Sequence, residues 1–282
     1  VVQALTYGGY VVGERTDVPV PKVWWFEADE SVLGAPFFVM ERIDGVVPPD
    51  VMPYNFGDSW VYDATPEQRR RLQDSTVEVL AALHAIPDAE EAFSFLAFDD
   101  PGDTALRRHV AHTEAWYRFA AEGPHGMRSP LVDRGIAWLH DHWPSDEGDT
   151  VVSWGDSRIG NVIYDDFRPA AVLDWEMAGL GPRELDVAWL VFAHMVFEDI
   201  ASVFELPGMP DFLRADDVVA TYEAAAGVTL GDLRFYLVYC AVQWGVVFLR
   251  TSSRQLHFGE IEPPGHVDEL LRHSALFERL LA

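Results

Sequence analysis

The sequence predicts an α+β chain of two lobes, a small β-containing one followed by a larger, mostly helical one. Three observations carry that prediction. Aromatic and β-branched residues crowd into two short runs near the start, 22–28 (KVWWFEA) and 36–43 (PFFVMERI). From Thr65 onward apolar residues recur at helical spacing. Between the two regimes, Asp44-Gly45 and prolines 48 and 49 punctuate the chain. The 282 residues, 49% apolar and 13% aromatic, suffice for a sizeable core in one large domain or two lobes.

Taken in order, residues 1–5 read as the tail of a helix. Residues 7–21 (YGGYVVGERTDVPVP) read as a linker: their glycines lack Gly-x-Gly-x-x-Gly spacing and are followed by prolines, not a strand. The two aromatic runs form a hairpin, and 50–64 is irregular. Thr65-Pro66-Glu67-Gln68 is a helix start, with Thr65 as cap, Pro66 in the first turn and Gln68 three residues on. Leu72, Val79, Leu80, Leu83 and Ile86 share its apolar face, and Pro87 stops it. Further helices are predicted over 104–121 and 130–142. A strand–loop–strand–turn–strand unit follows over 151–176, then helices over 183–197, 215–225, 230–256 and 268–281. No internal repeat or low-complexity segment appears.

The charge balance, 46 acids against 20 bases for a net −26, disfavours nucleic acid and anionic membranes as partners and suits a soluble protein or a cationic substrate. The single cysteine, Cys240, lies in an apolar run and reads as a small buried hydrophobe. No signal peptide or bilayer-length apolar run is present, so a cytoplasmic protein is expected. The start VVQALTY, without Met, reads as part of something longer. The histidines show no zinc-ligand spacing, and His84, His109, His112 and His194 fall in helical patterns as structural residues. The ten tryptophans are spread out, with Trp116, Trp138, Trp189 and Trp244 in predicted helices; core packing accounts for most of the ten, and some line an apolar acceptor pocket.

The chemistry concentrates in VVSWGDSRIGNVIYDDFRPAAVLDWE, residues 151–176. Asp156 and Asn161 lie five residues apart in a loop bounded by apolar runs, and Asp174 closes a third run. A two-stranded ribbon brings these ends together, where Asp156 can accept a proton from a hydroxyl and Asn161 and Asp174 can offer hard oxygens to Mg²⁺. Each residue taken singly also fits a turn with local hydrogen bonds.

The arrangement resembles the aminoglycoside phosphotransferase and choline kinase-like family of small-molecule kinases. The family's His-Gly-Asp-x-x-x-x-Asn loop is matched by Trp154-Gly155-Asp156-Ser157-Arg158-Ile159-Gly160-Asn161, and its following Asp by Leu173-Asp174-Trp175-Glu176. A later Asp-Leu-Ala is matched by Asp186-Val187-Ala188. The branch of mycobacterial phosphotransferase-like and acyl-CoA dehydrogenase-like proteins looks closest, on the runs LGAPFFVME and VLDWE. The resemblance runs from about Val18 to the end. It implies a two-lobed protein-kinase-like fold with a truncated small β lobe: 1–45 a remnant of the N-terminal lobe and hinge, 46–282 the helical lobe.

The implied activity is transfer of the γ-phosphoryl group of ATP to a hydroxyl of a small molecule with Mg²⁺. Asp156 is the implied base, and Asn161 and Asp174 the implied magnesium ligands. Met40, Glu41 and Ile43 belong to the implied hinge at the adenine edge, where the Glu41 C=O and the Ile43 N–H would act. Asp186 is expected to brace the loop through backbone N–H groups. Arg158 contacts a phosphate or substrate anion, or else makes a surface salt bridge; Glu176 lies near metal or substrate, or behind them. Trp154 departs from the family's histidine, and 181–184 (GPRE) from a commoner Gly-Asp-Pro run. No Gly-rich loop, strand lysine or helix glutamate can be placed, since the only lysine is Lys22. Weak ATP binding by this stretch alone is therefore expected. The rival expectation is a catalytically silent relative that binds a metabolite or a protein partner.

Overall fold

The computed structural model describes residues 9–50, 53–122 and 126–282. The chain forms two compact units, each built from two separated segments: Val1–Ala97 with Asp149–Leu230, and Phe98–Gly148 with Gly231–Ala282. The expected helix tail at 1–5 lies outside the described residues.

The first unit holds all six strands, in three antiparallel pairs among the described residues. Its first described element is a helix, α1 (Gly9–Arg15), where the sequence reading had a linker. Its C-terminal turn is closed by Thr16, whose N–H and hydroxyl both donate to the Val12 carbonyl, and Val12 is fully buried. Tertiary burial thus overrides the local glycine signal. The hairpin follows as β1 (Val23–Glu27) and β2 (Phe37–Met40), shorter than the aromatic runs that predict it.

α2 (Pro66–His84) starts where its cap signals place it. Thr65 Oγ accepts from the Gln68 N–H and the Gln68 side chain accepts from the Thr65 N–H, a complete capping box. Its buried face holds Leu72, Leu80 and Leu83 as expected, with Val77 rather than Val79 fully enclosed. A short α3 (Ala89–Ala92), unforeseen, follows.

The central stretch supplies β3 (Thr150–Ser153), β4 (Val162–Asp165) and β5 (Arg168–Val172). β4 and β5 make the anticipated ribbon, with Val162 opposite Val172. β3 pairs instead with β6 (Gly179–Pro182), a glycine- and proline-rich strand that propensity disfavours and burial imposes: all four of its residues are buried. Val46 bridges Tyr164 from outside the named strands through a reciprocal backbone pair.

α6 (Glu184–Val203) and α7 (Ala215–Ala226) complete this unit. Fourteen of the twenty α6 residues are buried, Asp186 and His194 among them. In a helix this enclosed an unpaired polar group is costly, so partners are expected for its buried polar side chains.

Among the described residues the elements of the second unit are helical, chiefly α4 (Ala105–Glu122), α5 (Pro130–Asp141), α8 (Arg234–His257) and α9 (Ser274–Leu281). Ser129 caps α5 through a bond from the Val132 N–H. The predicted helix over 268–281 is broken into a 3₁₀ turn, Val267–Leu270, and α9. Among the described residues no helix is long and apolar enough to cross a membrane.

Candidate active site

The loop between β3 and β4 hangs from a single carboxylate. Asp186, fully buried in the first turn of α6, accepts the Trp154 N–H at Oδ2 (2.7 Å) and the Gly155 N–H at Oδ1 (2.8 Å). Its Oδ1 also accepts the Ser153 hydroxyl (2.9 Å), and its own carbonyl accepts the Ser157 hydroxyl (2.8 Å). His84 Nε2 lies 2.9 Å from Asp186 Oδ2; since a carboxylate only accepts, that nitrogen carries the proton, and Tyr222 closes the chain at His84 Nδ1 (2.7 Å). Four donors on the carboxylate satisfy its charge, and with the Ser157 bond to the Asp186 carbonyl they fix the loop. The sequence expectation that Asp186 braces the loop through backbone N–H groups matches this geometry.

Two glycines let the loop take its path. Gly155 sits at φ +90°, and a Cβ there would lie 2.1 Å from the Met177 carbonyl oxygen. A Cβ on Gly160 would lie 2.3 Å from Asp50 Oδ1.

Trp154, where the resembling family has histidine, is fully buried. Its indole N–H donates to the carbonyls of Leu173 (2.9 Å) and Asp174 (3.2 Å). The ring therefore links the loop to the end of β5 by hydrogen bonds as well as by packing. The Leu173 N–H donates to the Asn161 carbonyl (2.9 Å), a second link between the same two segments. Asp174 itself is held in the left-handed region at φ +59°, an uncommon conformation for a non-glycine residue.

At the centre, the Asp156 carboxylate meets three side chains. Its Oδ2 accepts Asn161 Nδ2 (2.7 Å), and its Oδ1 accepts Trp189 Nε1 (2.7 Å). Arg158 Nε lies 3.0 Å from both oxygens, while its Nη1 pairs with Asp50 Oδ2. Because the amide of Asn161 turns its NH₂ to Asp156, its oxygen remains available for a cation. Burial, and then the charge of Asp156, push the Asp174 carboxyl above its ordinary range; burial, then Asp174 and Asp156, do the same to Glu176. Burial disfavours the Arg158 charge, but Asp156 and Asp50 outweigh it and hold that pKa above its usual value.

Mutually repelling carboxylates beside an amide oxygen are a hard donor set that a divalent cation would relieve. Among the described residues no group of three or more His, Cys, Asp or Glu side chains converges for a metal. A cation here would thus take Asn161 and Asp174 and complete its shell with phosphate and water, as Mg²⁺ commonly does.

The three residues expected to form a hinge, Met40, Glu41 and Ile43, are more open to solvent. The Glu41 N–H donates to the Lys22 carbonyl (2.8 Å), Met40 and Glu41 are exposed, and Ile43 is half-buried.

With that geometry in view, comparison with known proteins is direct. The description "Phosphotransferase enzyme family" matches residues 11–235. The chain belongs to this family. An aminoglycoside phosphotransferase-like protein of Ralstonia eutropha JMP134 superposes with TM-score 0.74 at 22% identity, over 99% of this chain and 82% of that one. The aminoglycoside phosphotransferase APH(4)-Ia, solved as a ternary complex with AMP-PNP and hygromycin B, gives TM-score 0.60 at 16% identity over 98% and 82%. These matches show the two-lobed kinase-like fold of the phosphotransferases, as the resemblance implies. In sequence, the Arabidopsis thaliana protein named Probable acyl-CoA dehydrogenase IBR3 is 26% identical over 87% of this chain. Human acyl-CoA dehydrogenase family member 11 is 29% identical over 60% of it. This chain spans only 30% and 20% of those two relatives' own lengths.

Within this phosphotransferase fold, β4–β5, the bond from Trp154 and the bond from Asn161 bring Asp156, Asn161 and Asp174 into one neighbourhood. Sequence reasoning missed three contributors. Trp189 is placed in a helix by the sequence with no role of its own, although its position three residues after Asp186 on one helix face is a usable signal. His84 was assigned a structural role without a partner. Asp50, in an irregular stretch, offered no signal for its pairing with Arg158, which is partly enclosed between two carboxylates rather than lying in a surface pair.

Proposed function

We propose that the chain is a small-molecule kinase that moves the γ-phosphoryl group of ATP to a hydroxyl, with Asp156 as base and Asn161 and Asp174 as the residues that would hold Mg²⁺. The observation that carries this reading is the fixed Asp156 carboxylate on a loop suspended from Asp186. Phosphoryl transfer asks little covalent chemistry of the protein and much positioning. A bound Mg²⁺ would supply charge neutralisation at the phosphates. Asp156 would orient the acceptor hydroxyl and take its proton once Arg158 gives up one of the lone pairs it now covers. Arg158, turned from Asp156 but still paired to Asp50, would face the transferred group's charge. Met40, Glu41 and Ile43 would form the adenine edge, and a cytoplasmic location fits an ATP-dependent activity. The partition into a 1–45 N-terminal remnant and a 46–282 helical lobe is part of the same proposal.

A second reading, a silent relative that binds a metabolite or protein, is favoured by one observation: Arg158 spans both oxygens of Asp156. The two part on ADP release, measured with MgATP and a panel of hydroxyl compounds. The kinase reading expects turnover that falls about 10²- to 10⁴-fold in Asp156→Asn. Wild-type turnover in that variant would remove Asp156 as base, and no turnover with any acceptor would favour the silent relative. Asp174→Ala should abolish the Mg²⁺-dependent part of any ATP-induced rise in melting temperature.

A further inference from the structure

We propose that Trp189 is a positioning residue for Asp156, its indole N–H fixing the rotation of that carboxylate. This rests on the reading of Asp156 as base. Three side chains donate to Asp156, and two of them have other partners in prospect. Asn161 presents its remaining oxygen for a cation. Arg158 shares its guanidinium with Asp50 and straddles both oxygens, so it obstructs as much as it orients.

Trp189 differs from both. An indole N–H is a single neutral donor with no acceptor capacity. It holds Oδ1 at 2.7 Å without adding a charge and without filling the second lone pair of that oxygen. The ring is 4% exposed, so the donor has little freedom to leave.

Its place on α6 gives the second half of the argument. Asp186 and Trp189 are three residues apart and therefore share a helix face. From that face Asp186 fixes the main chain of Trp154 and Gly155, while Trp189 fixes the side chain of Asp156. One turn of α6 thus sets both the backbone and the χ angles of the base. A buried indole N–H needs some acceptor, and any core carbonyl would serve a ring present only for packing. Here the acceptor is the carboxylate the reaction depends on.

The test separates the N–H from the ring. Trp189 is replaced by β-(3-benzothienyl)alanine, which keeps the bicyclic shape and puts sulfur in place of N–H; Trp189→Phe serves as the coarser variant. Melting temperature, KM for MgATP and kcat by ADP release are measured on each. Indole ¹H–¹⁵N resonances are recorded for wild type, Trp189→Phe and Asp156→Ala. Expected are a benzothienyl variant that melts near wild type, a KM for MgATP within about twofold, and a kcat lower by about ten- to a hundredfold. The resonance absent in Trp189→Phe should move in Asp156→Ala. An isostere with wild-type kcat, or a Trp189 resonance unmoved by Asp156→Ala, overturns the proposal. Wild-type turnover in Asp156→Asn removes Asp156 as base and the proposal with it, whereas turnover indifferent to the N–H removes the proposal alone.

Discussion

The loop from Ser153 to Asn161 and the β1–β2 hairpin are opposite cases of how a short segment is held. The loop has little regular structure beyond a 3₁₀ turn at Ile159–Asn161, yet Ser153, Trp154, Ser157, Ile159 and Asn161 are buried, and all of these but Ile159 bond to residues outside the loop. The hairpin is a paired ladder broken only between Val23 and Trp25, yet Trp24 is 60% exposed, Trp25 59% and Leu33, in its connection, 72%. Its shape comes from its own ladder and from Lys22 over the Trp24 ring. Strand pairing and fixity are therefore separate properties: the loop is fixed by long-range polar bonds, the hairpin, among the described residues, by its own neighbours.

The hardest blow to this contrast is Asp186→Ala. It strips the Trp154 and Gly155 N–H groups, the Ser153 hydroxyl and the His84 ring of their acceptor at once. Breaking so buried a charge network should cost about 3–5 kcal/mol, read by urea denaturation. A loss under about 1 kcal/mol would mean that packing, not this carboxylate, sets the loop.

Next is Gly155→Ala. The new Cβ meets the Met177 carbonyl at 2.1 Å on a backbone at φ +90°, and both must shift. About 1–3 kcal/mol of stability should go, and turnover should fall with it because Asp156 follows directly in sequence. Unchanged turnover would show that the loop tolerates a displaced backbone.

These two residues also show what the sequence could and could not say. Asp156, Asn161 and Asp174 were legible because their order and spacing along the chain carry the pattern, and the β4–β5 ribbon needs only local turn and strand signals. Asp186 was legible from a matching motif on an apolar helix. β6 was not, since GLGP has poor strand propensity and pairs with β3 only because both are enclosed. α1 was hidden the same way, its glycine-rich segment made helical by the burial of Val12. Asp50 with Arg158 joins residues 108 apart through side chains alone, a pairing no local pattern encodes.

His194 tests the polar interior of α6 by pH. Its Nδ1 accepts from the Tyr54 hydroxyl (2.9 Å), and its Nε2 donates to the Met209 carbonyl (3.1 Å), so the neutral ring satisfies both. Burial lowers its pKa below 6.5 and outweighs the opposing charge of Glu198. The native state then binds fewer protons than the unfolded chain below that value. This contribution is complete above about pH 6.5 and is lost as pH falls toward the folded pKa, at up to about 1.4 kcal/mol per pH unit. Denaturation at pH 7.5 and 5.5 should show a steeper acid loss in wild type than in His194→Gln. Equal slopes would assign the acid sensitivity to other groups.

The smallest effect is expected in the hairpin. Trp25→Ser removes a ring that is 59% exposed from a strand whose ladder bonds are made by the backbone. If the hairpin is held only by its neighbours, the change should stay within about 0.5 kcal/mol, the range of ordinary surface substitutions. The sheet propensity of Trp over Ser adds at most a few tenths in a two-stranded ribbon. The sharper form of the test compares this variant with Trp154→Phe, which also removes an indole N–H but from a buried ring that donates to Leu173 and Asp174. Two orphaned carbonyls there should cost about 1–3 kcal/mol. If the exposed tryptophan proved as costly as the buried one, the hairpin would have to be fastened by contacts beyond its own ladder, and the contrast between the two segments would fail at its weaker end.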